Sequence, residues 1–429
     1  MKSILISSNC SGGGKTTVTL GIMKAVMDRG FKVQGYKVGP DYIDTAFHKQ
    51  ITGQASRNLD LHLMGEEGLE AVYSRGKGDY AVVEGVMGLY DGKGITSEYS
   101  TAQVAKMLDL PIILVITPKA QSLTLCAELN GMVDFESANI VGIILNNISE
   151  GYYKLLKAAI EKNCIPKLKV LGYLPNHEGL QLKSRHLGLV QSSEVKNLED
   201  KIQLCSELLE QHVDMEALLN CFVESKKYED SFHYENRGLR TAVAYDKAFN
   251  FYYKENLEAL EELGEVIYFS PLKDKKLPEN IDFLYIGGGY PEVFVEELSK
   301  NISMLDSIKH ALEAGLKCYA ECGGLMYLSE EIQGHRTVGF LKGKATMGKS
   351  LQHFGYAEIT VLEENPFSKI GSRMNCHEFH KSFVELQEKT IFKTEQKSYD
   401  GKTTHWSCGY CKKNTVATYG HTWGRFITF

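Results

Sequence analysis

The 429-residue chain has no apolar run approaching the ~20 residues that cross a bilayer. A helical membrane protein is therefore not expected. It also lacks a strong charge of either sign: 48 Lys and Arg against 54 Asp and Glu leave −6, which argues against general nucleic-acid binding. The opening "KSILISS" has neither the charged flank nor the cleavage site of a secretory leader, and reads as a strand. The ten cysteines follow no framework spacing, so reduced thiols in a cytoplasm are expected. No internal repeat and no low-complexity tract is present. What remains is a globular composition, 43% apolar and 24% charged, and a length that points to two domains.

Continuous β-branched runs recur, each followed by a helical pattern: "ILIS" at 4–7, "YAVVEGV" at 80–86, "IILVIT" at 112–117, "IVGIILNN" at 140–147 and "KVLGYLP" at 169–175. Such runs suit strands buried on both faces of a parallel sheet, and the alternation implies right-handed βαβ units. The polar stretch "ESKKYEDSFHYENRG", 224–238, reads as a linker. A second series follows, with "LRTAVAYD" at 239–246, "EVIYFS" at 265–270, "IDFLYIGGG" at 281–289 and "KCYAECGG" at 317–324. The expected architecture is α/β in two domains, 1–223 and 239–429, each a mostly parallel sheet flanked by helices.

The first strand runs into "SSNCSGGGKTT", 7–17, and then a helical pattern. That strand–loop–helix setting is what a phosphate-binding P-loop requires. Gly12, Gly13 and Gly14 let backbone N–H groups turn toward an anion, Lys15 can reach the β/γ-phosphates, and the Thr16 hydroxyl suits Mg2+. Thr17 completes the loop. Asn9 stands where the motif places its first glycine. Two clusters follow. In "GYKVGPDYID", 35–44, Lys37, Asp41 and Asp44 share a turn-rich segment bent by Gly39-Pro40. In "VVEGVMGLYDG", 82–92, Glu84 ends a buried strand, where open α/β sheets bind ligands. A carboxylate there is costly without a cation, so Mg2+ held by Thr16, Glu84 and Asp41 is the economical reading. Asp44 and Asp91 fit solvated loop acids better than Glu84 does.

In the second domain, strand, Cys322, two glycines and a helical pattern form a nucleophile elbow, with the thiol on a tight strand-to-helix turn. A free thiol is only a few per cent thiolate at neutral pH, and a nearby imidazole raises that fraction. The Gly323 N–H can face a developing oxyanion, and "IGGGYPE", with Gly288 and Gly289, offers a second donor. His421 in "ATYGHTWG" supplies the base. Read alone, Cys322 would be a small buried apolar residue.

Eight blocks in order, "SGGGKTTVTLG", "KVGPDYIDTAFH", "SRNLD", "VEGVMGLYDG", "RHLGLV", "IGGGYPE", "ECGGLMYL" and "HEFHKS", make the chain resemble the cobyrinic acid a,c-diamide synthase family over nearly its whole length. The resemblance implies a dethiobiotin-synthetase-like ATPase domain joined to a class I glutamine amidotransferase domain. It implies a synthetase site at Lys37, Asp41, Tyr42, Asp44 and Glu84, and a glutaminase pair at Cys322 and His421. The implied reaction amidates the a and c acetates of cobyrinic acid, a cobalt tetrapyrrole of cobalamin biosynthesis. ATP is the co-substrate and Mg2+ the cofactor. Each carboxylate would become an acyl phosphate and then receive ammonia from glutamine. Two domains in one chain keep that ammonia near the acyl phosphate. No nucleic-acid or membrane partner is expected, and a homodimer stays open.

The chain departs from the family where Trp423 replaces a second C-terminal histidine, so the group that orients His421 is not identified. "CGYC", 408–411, is an addition, and only Cys376 and His377 could complete a zinc site with Cys408 and Cys411. His377 and His380 could touch an acidic substrate or simply pack. Competing readings are a nickel-sirohydrochlorin a,c-diamide synthase, a cobyric acid synthase, a partitioning-type ATPase and a binding module with an inactive glutaminase. A partitioning ATPase would carry a signature lysine where this chain has Cys10.

Overall fold

The computed structural model describes residues 1–165, 168–180, 184–185, 188–189 and 197–424. Most of the block "RHLGLV", 185–190, lies outside the described residues. The chain divides into two compact units, 1–231 and 232–429.

The first unit is built on a parallel sheet. Its strands are β1 (Lys2–Ser8), β2 (Val33–Val38), β3 (Arg57–Leu59), β4 (Tyr80–Glu84), β5 (Ile112–Ile116), β6 (Ile140–Ile148) and β7 (Lys169–Pro175), in the order β3-β2-β4-β1-β5-β6-β7. A two-residue strand, Val223–Glu224, adds to β1 antiparallel. All five residues of β4 and of β5 are buried, as continuous apolar runs require. Helix α1 (Lys15–Asp28) leaves the glycine loop after β1, and α2 (Tyr42–Thr52) follows β2. The helix Leu198–His212 packs Leu198, Ile202, Cys205 and Leu209 into the same core as Val18 and Ile22 of α1. Gly21 permits that approach, because a Cβ there would lie 2.5 Å from the Cys205 sulfur. The register sets Glu84 beside Ile6 on one side and Lys37 on the other.

The polar stretch expected to link the domains is not loose at its first end. Ser225 Oγ donates to Met1 O at 2.7 Å, and Arg75 pairs with Asp230 at 2.6 Å.

The second unit holds a ten-stranded sheet. Its strands are β8 (Leu239–Ala244), β9 (Gly264–Phe269), β10 (Phe283–Ile286), β11 (Lys317–Glu321), β12 (His353–Val361), β13 (Arg373–His380), β14 (Thr390–Lys397), β15 (Thr403–Lys412), β16 (Thr415–Thr418) and β17 (His421–Thr422). The order is β9-β8-β10-β11-β16-β15-β14-β12-β13-β17. Pairings from β9 through β16 are parallel, as expected around Cys322. Beyond β16 every pairing is antiparallel. That half escapes a search for continuous apolar runs. In β12 the buried residues Ala357, Ile359 and Val361 alternate with partly exposed ones, the period of a half-covered sheet. Helix α3 (Gly323–Leu328) follows β11 directly.

Candidate active sites

In the first unit the glycine loop joins β1 to α1. Gly12 and Gly14 take φ of 74° and 87°, left-handed values that L-residues resist. Gly14 caps α1 with no side-chain acceptor, so the first-turn amides face outward without a capping oxygen. Room is also short, since a Cβ on Gly14 would stand 2.1 Å from Asn146 Nδ2. Asn9, in place of the usual glycine, donates to Glu128 Oε1 at 2.6 Å and so ties the loop to a neighbouring helix. Lys15 reaches back over the loop to Cys10 O at 3.0 Å and Met87 O at 2.5 Å. Burial, then the neighbouring Lys37 charge, lowers its pKa against the pull of Glu84. Thr17 follows on α1, half-buried.

Around Glu84 the charges are dry. Glu84 Oε1 accepts from Thr16 Oγ1 at 2.6 Å and lies 3.2 Å from Lys37 Nζ; its Oε2 lies 2.8 Å from His48 Nε2. Burial works against ionisation, but Lys37 and the hydrogen bonds from His48 and Thr16 outweigh it and hold Glu84 well below the usual carboxylate range. Lys37 also meets Asp44 Oδ2 at 2.6 Å. Asp44 is therefore not the solvated loop acid its sequence context suggested: it is 6% exposed. Burial and repulsion from Asp41 and Glu84 push its pKa well up, against Lys37. Asp91, by contrast, is exposed, and its Oδ2 accepts from Gly88 N at 2.8 Å. Asp41 caps α2, accepting from Ile43 N at 2.7 Å and Asp44 N at 3.0 Å. Tyr42 is buried beside it.

Thr16 and Glu84 are hard oxygen donors within contact of one another, which suits Mg2+. One Asp41 oxygen is committed to the α2 amides. Among the described residues no three His, Cys, Asp or Glu side chains converge on a metal position. The fit is to an ion held by one or two protein oxygens, with water and phosphate completing its shell, as Mg2+ prefers.

In the second unit Cys322 sits at φ 50°, ψ −102°, between β11 and α3. A non-glycine residue there costs on the order of 1–3 kcal/mol and persists only when its surroundings hold it. Its N–H donates to Thr418 O at 2.8 Å. The chain then runs two residues on to β17, where His421 pairs with His377 of β13. His421 is 3% exposed and lies close enough to the Cys322 thiol for the thiol to influence its charge. Burial pushes the imidazole down, but the neighbouring Cys322 thiol and the Glu321 carboxylate, 3.4 Å from Nδ1, outweigh it and raise its pKa to about 10. Gly288 has no space for a side chain, since a Cβ would meet His421 Cε1 at 2.5 Å. A Cβ on Gly323 would lie 3.2 Å from Gly289 N, so these two glycines face one another next to the thiol.

His377 and His380 are both buried among neighbouring side chains. Tyr253 Oη lies 3.1 Å from His377 Nδ1, and the His377 ring stacks on His421 with centroids 5.1 Å apart. His380 Nδ1 donates to Ser382 O at 2.7 Å, its Nε2 lies 3.1 Å from Glu378 Oε2, and the ring stacks on Tyr419 at 3.8 Å. Cys408 and Cys411 are three apart on β15 and so point to opposite faces. Cys408 contacts Thr418 Oγ1 at 3.4 Å, and all ten cysteines are free. Sequence reasoning missed His48 and Glu321. Both lie inside quoted motifs, but the contacts that single them out reach partners 36 and 100 residues away.

Residues 4–190 match the CobQ/CobB/MinD/ParA nucleotide binding domain, and residues 240–425 the CobB/CobQ-like glutamine amidotransferase domain. The chain is 64% identical over 425 residues to the cobyrinate a,c-diamide synthase of Clostridium tetani, covering 98% of this chain and 96% of that one. It is 63% identical to the cobyrinate a,c-diamide synthase of Clostridium acetobutylicum, covering 98% and 97%. It is 43% identical to that of Caldanaerobacter subterraneus, covering 97% and 94%. No described helix is long and apolar enough to cross a membrane.

Proposed function

Because the chain belongs to the cobyrinate a,c-diamide synthase family, we propose that it amidates the a and c acetate carboxylates of cobyrinic acid, using ATP and glutamine. Residues 1–223 would carry the synthetase, 224–238 the linker and 239–429 the glutaminase. One pair of observations in a single chain carries the reading: a thiol beside an imidazole at a strand-to-helix elbow, and a glycine loop whose Thr16 meets a buried Glu84.

At the synthetase site the amides of Gly12, Gly13 and Gly14 and the Thr17 turn cradle the ATP phosphates. Lys15 leaves its two carbonyl partners to meet the β/γ-phosphates, and Lys37 offsets charge on the transferring phosphoryl group. Mg2+ on Thr16 and Glu84, with Asp41 near, would neutralise phosphate charge. Asp41, Tyr42 and Asp44 line the place where the acetate comes in. Its carboxylate oxygen attacks the γ-phosphorus and ADP leaves, giving an acyl phosphate. Ammonia then attacks the acyl carbon and phosphate departs, leaving the amide.

At the glutaminase site the Cys322 sulfur attacks the glutamine amide carbon. The Gly323 N–H, with Gly288 and Gly289, faces the developing oxyanion. The protonated His421 gives its proton to the departing ammonia, then takes one from the water that cleaves the thioester to glutamate. The free cysteines are in keeping with a reducing cytoplasm.

The test is incubation with ATP, glutamine and either cobyrinic acid or nickel-sirohydrochlorin, with product masses followed in time. Diamide from cobyrinic acid supports the reading. Amidation of the nickel compound alone moves the substrate to that tetrapyrrole. ATP hydrolysis without amidation of either points to an ATPase switch or a binding module.

A further inference from the structure

The reaction above employs Cys322 and His421 and leaves the residue before the nucleophile without a task. Glu321 ends β11 and is 1% exposed. A carboxylate that dry is costly unless it is well bonded. Its Oε2 accepts from Tyr285 Oη at 3.0 Å. Its Oε1 accepts from the Thr422 N–H at 3.3 Å and the Thr422 hydroxyl at 3.4 Å. The remaining contact is Oε2 to His421 Nδ1, at 3.4 Å.

Neighbouring residues of an extended strand point to opposite faces. Glu321 and Cys322 nevertheless both reach the His421 ring. The turn at Cys322, φ 50°, is where the strand's alternation ends. Tyr285 and Thr422 hold the carboxylate from two other strands, β10 and β17. The other neighbour of the ring cannot serve the same purpose. His377 stacks over its face at an interplanar angle of 22°, whereas an Nδ1–H bond lies in the ring plane.

We infer that Glu321 is the positioning residue of the glutaminase, accepting the Nδ1 proton of His421 so that Nε2 is turned to the Cys322 sulfur. It supplies from β11 an orienting partner that position 423, a tryptophan in this chain, cannot supply as a carboxylate would. The inference rests on the proposed role of Cys322 as nucleophile.

The test compares Glu321→Gln and Glu321→Asp in the full chain, with glutamine or ammonium as nitrogen source. Glu321→Gln should lower kcat for glutamine hydrolysis about 100-fold with little change in KM, below the ~10⁴-fold lost when a triad carboxylate is made an amide in a serine protease. Ammonium-dependent amidation should stay within about twofold, since the nucleotide site is untouched. The alkaline limb of kcat, set by the imidazole that Glu321 and Cys322 face, His377 stacks on and Tyr253 and Tyr285 back, should move to lower pH in Glu321→Gln. Glu321→Asp keeps the charge but draws it back by a methylene. Its limb should stay near that of the parent while kcat falls about 10-fold. Glutamine hydrolysis within about threefold of the parent and an unmoved limb in Glu321→Gln would overturn the assignment. So would equal loss of glutamine- and ammonium-dependent product in a folded variant. If Glu321→Gln does not fold, Glu321→Asp decides: unchanged kcat overturns the assignment, and selective loss with glutamine supports it. Cys322→Ser, run alongside, separates the two readings. Residual glutamine-dependent product there would break the nucleophile assignment itself, whereas an inactive Cys322→Ser beside an unaffected Glu321→Gln would break only the role of Glu321.

Discussion

Replacing Lys37 by Met tests whether the charges of the nucleotide-binding unit also hold it together. The Lys37 and Glu84 side chains are 4% and 0% exposed and their charged atoms stand 3.2 Å apart. At an effective dielectric of ~20 their attraction is about 5 kcal/mol, most of it offset by the cost of drying both ions. Deleting the ammonium removes the attraction and leaves two desolvated carboxylates, Glu84 and the 2.6 Å partner Asp44, so Lys37→Met should destabilise the unit by about 3–5 kcal/mol. Lys37→Met/Glu84→Gln should recover more than half of that, because an amide at position 84 can still bond to Thr16 and His48 and carries no buried charge. Two-state unfolding is not assured in a chain of two units, so the readout must be local. Hydrogen exchange of β1, β2 and β4 reports the first unit. Both tryptophans, Trp406 and Trp423, belong to the second, so their fluorescence midpoint in urea should not move. A change below 1 kcal/mol in Lys37→Met, or a double variant no better than the single, would refute the argument.

Cys322→Ser should abolish glutamine-dependent amidation and spare amidation from ammonium; loss of both in a folded variant would refute separate sites. Lys15→Ala should abolish product from either nitrogen source, because the interaction it removes matters most as phosphate charge moves; product at the parental rate would show Lys15 to be a loop brace alone. With His421 raised to about 10, glutamine hydrolysis should hold steady from neutral pH up to about 9 and fall as pH rises through 10, where the imidazolium that protonates ammonia is lost. A fall centred near pH 7 would contradict this. Since φ at Cys322 is 50°, Cys322→Gly should be more stable than Cys322→Ala by about 1 kcal/mol in thermal unfolding of the second unit, the reverse of the usual order. One glycine loop must serve two acetates, so a monoamide should accumulate early and be chased by fresh substrate; a course straight to diamide under excess substrate would refute release and rebinding.

The parallel half of the fold was legible because its signal is local. β1, β4 and β5 are runs of apolar residues that no amphipathic helix or half-covered strand would spell, and glycines punctuate them where the chain must turn. The antiparallel half was not legible by the same rule. Strands such as "HFGYAEITV" interrupt their apolar residues with Glu358 and Thr360, and their hydrophobic partners lie across β13 and β14 rather than nearby in sequence. The boundary falls at β16, where the last parallel pairing gives way to the first antiparallel one.

The candidate sites divide along a different line. Gly12, Gly14, Cys322 and Gly323 could be recognised because the backbone shape they need is set by the residues beside them. Charge state and orientation could not, because they depend on what the fold brings from afar. Asp44 reads as a surface acid until Lys37 and Glu84 are seen around it. Cys408 and Cys411 have metal-like spacing, yet the strand turns them to opposite faces. Glu321 looks like an ordinary flank of the nucleophile motif until β17 brings His421 to its carboxylate. A motif thus identifies where bond-making groups stand, while the groups that tune them are chosen by the tertiary register. With a tryptophan at position 423, the acidic neighbour of His421 comes from another strand, as Glu321 at the end of β11.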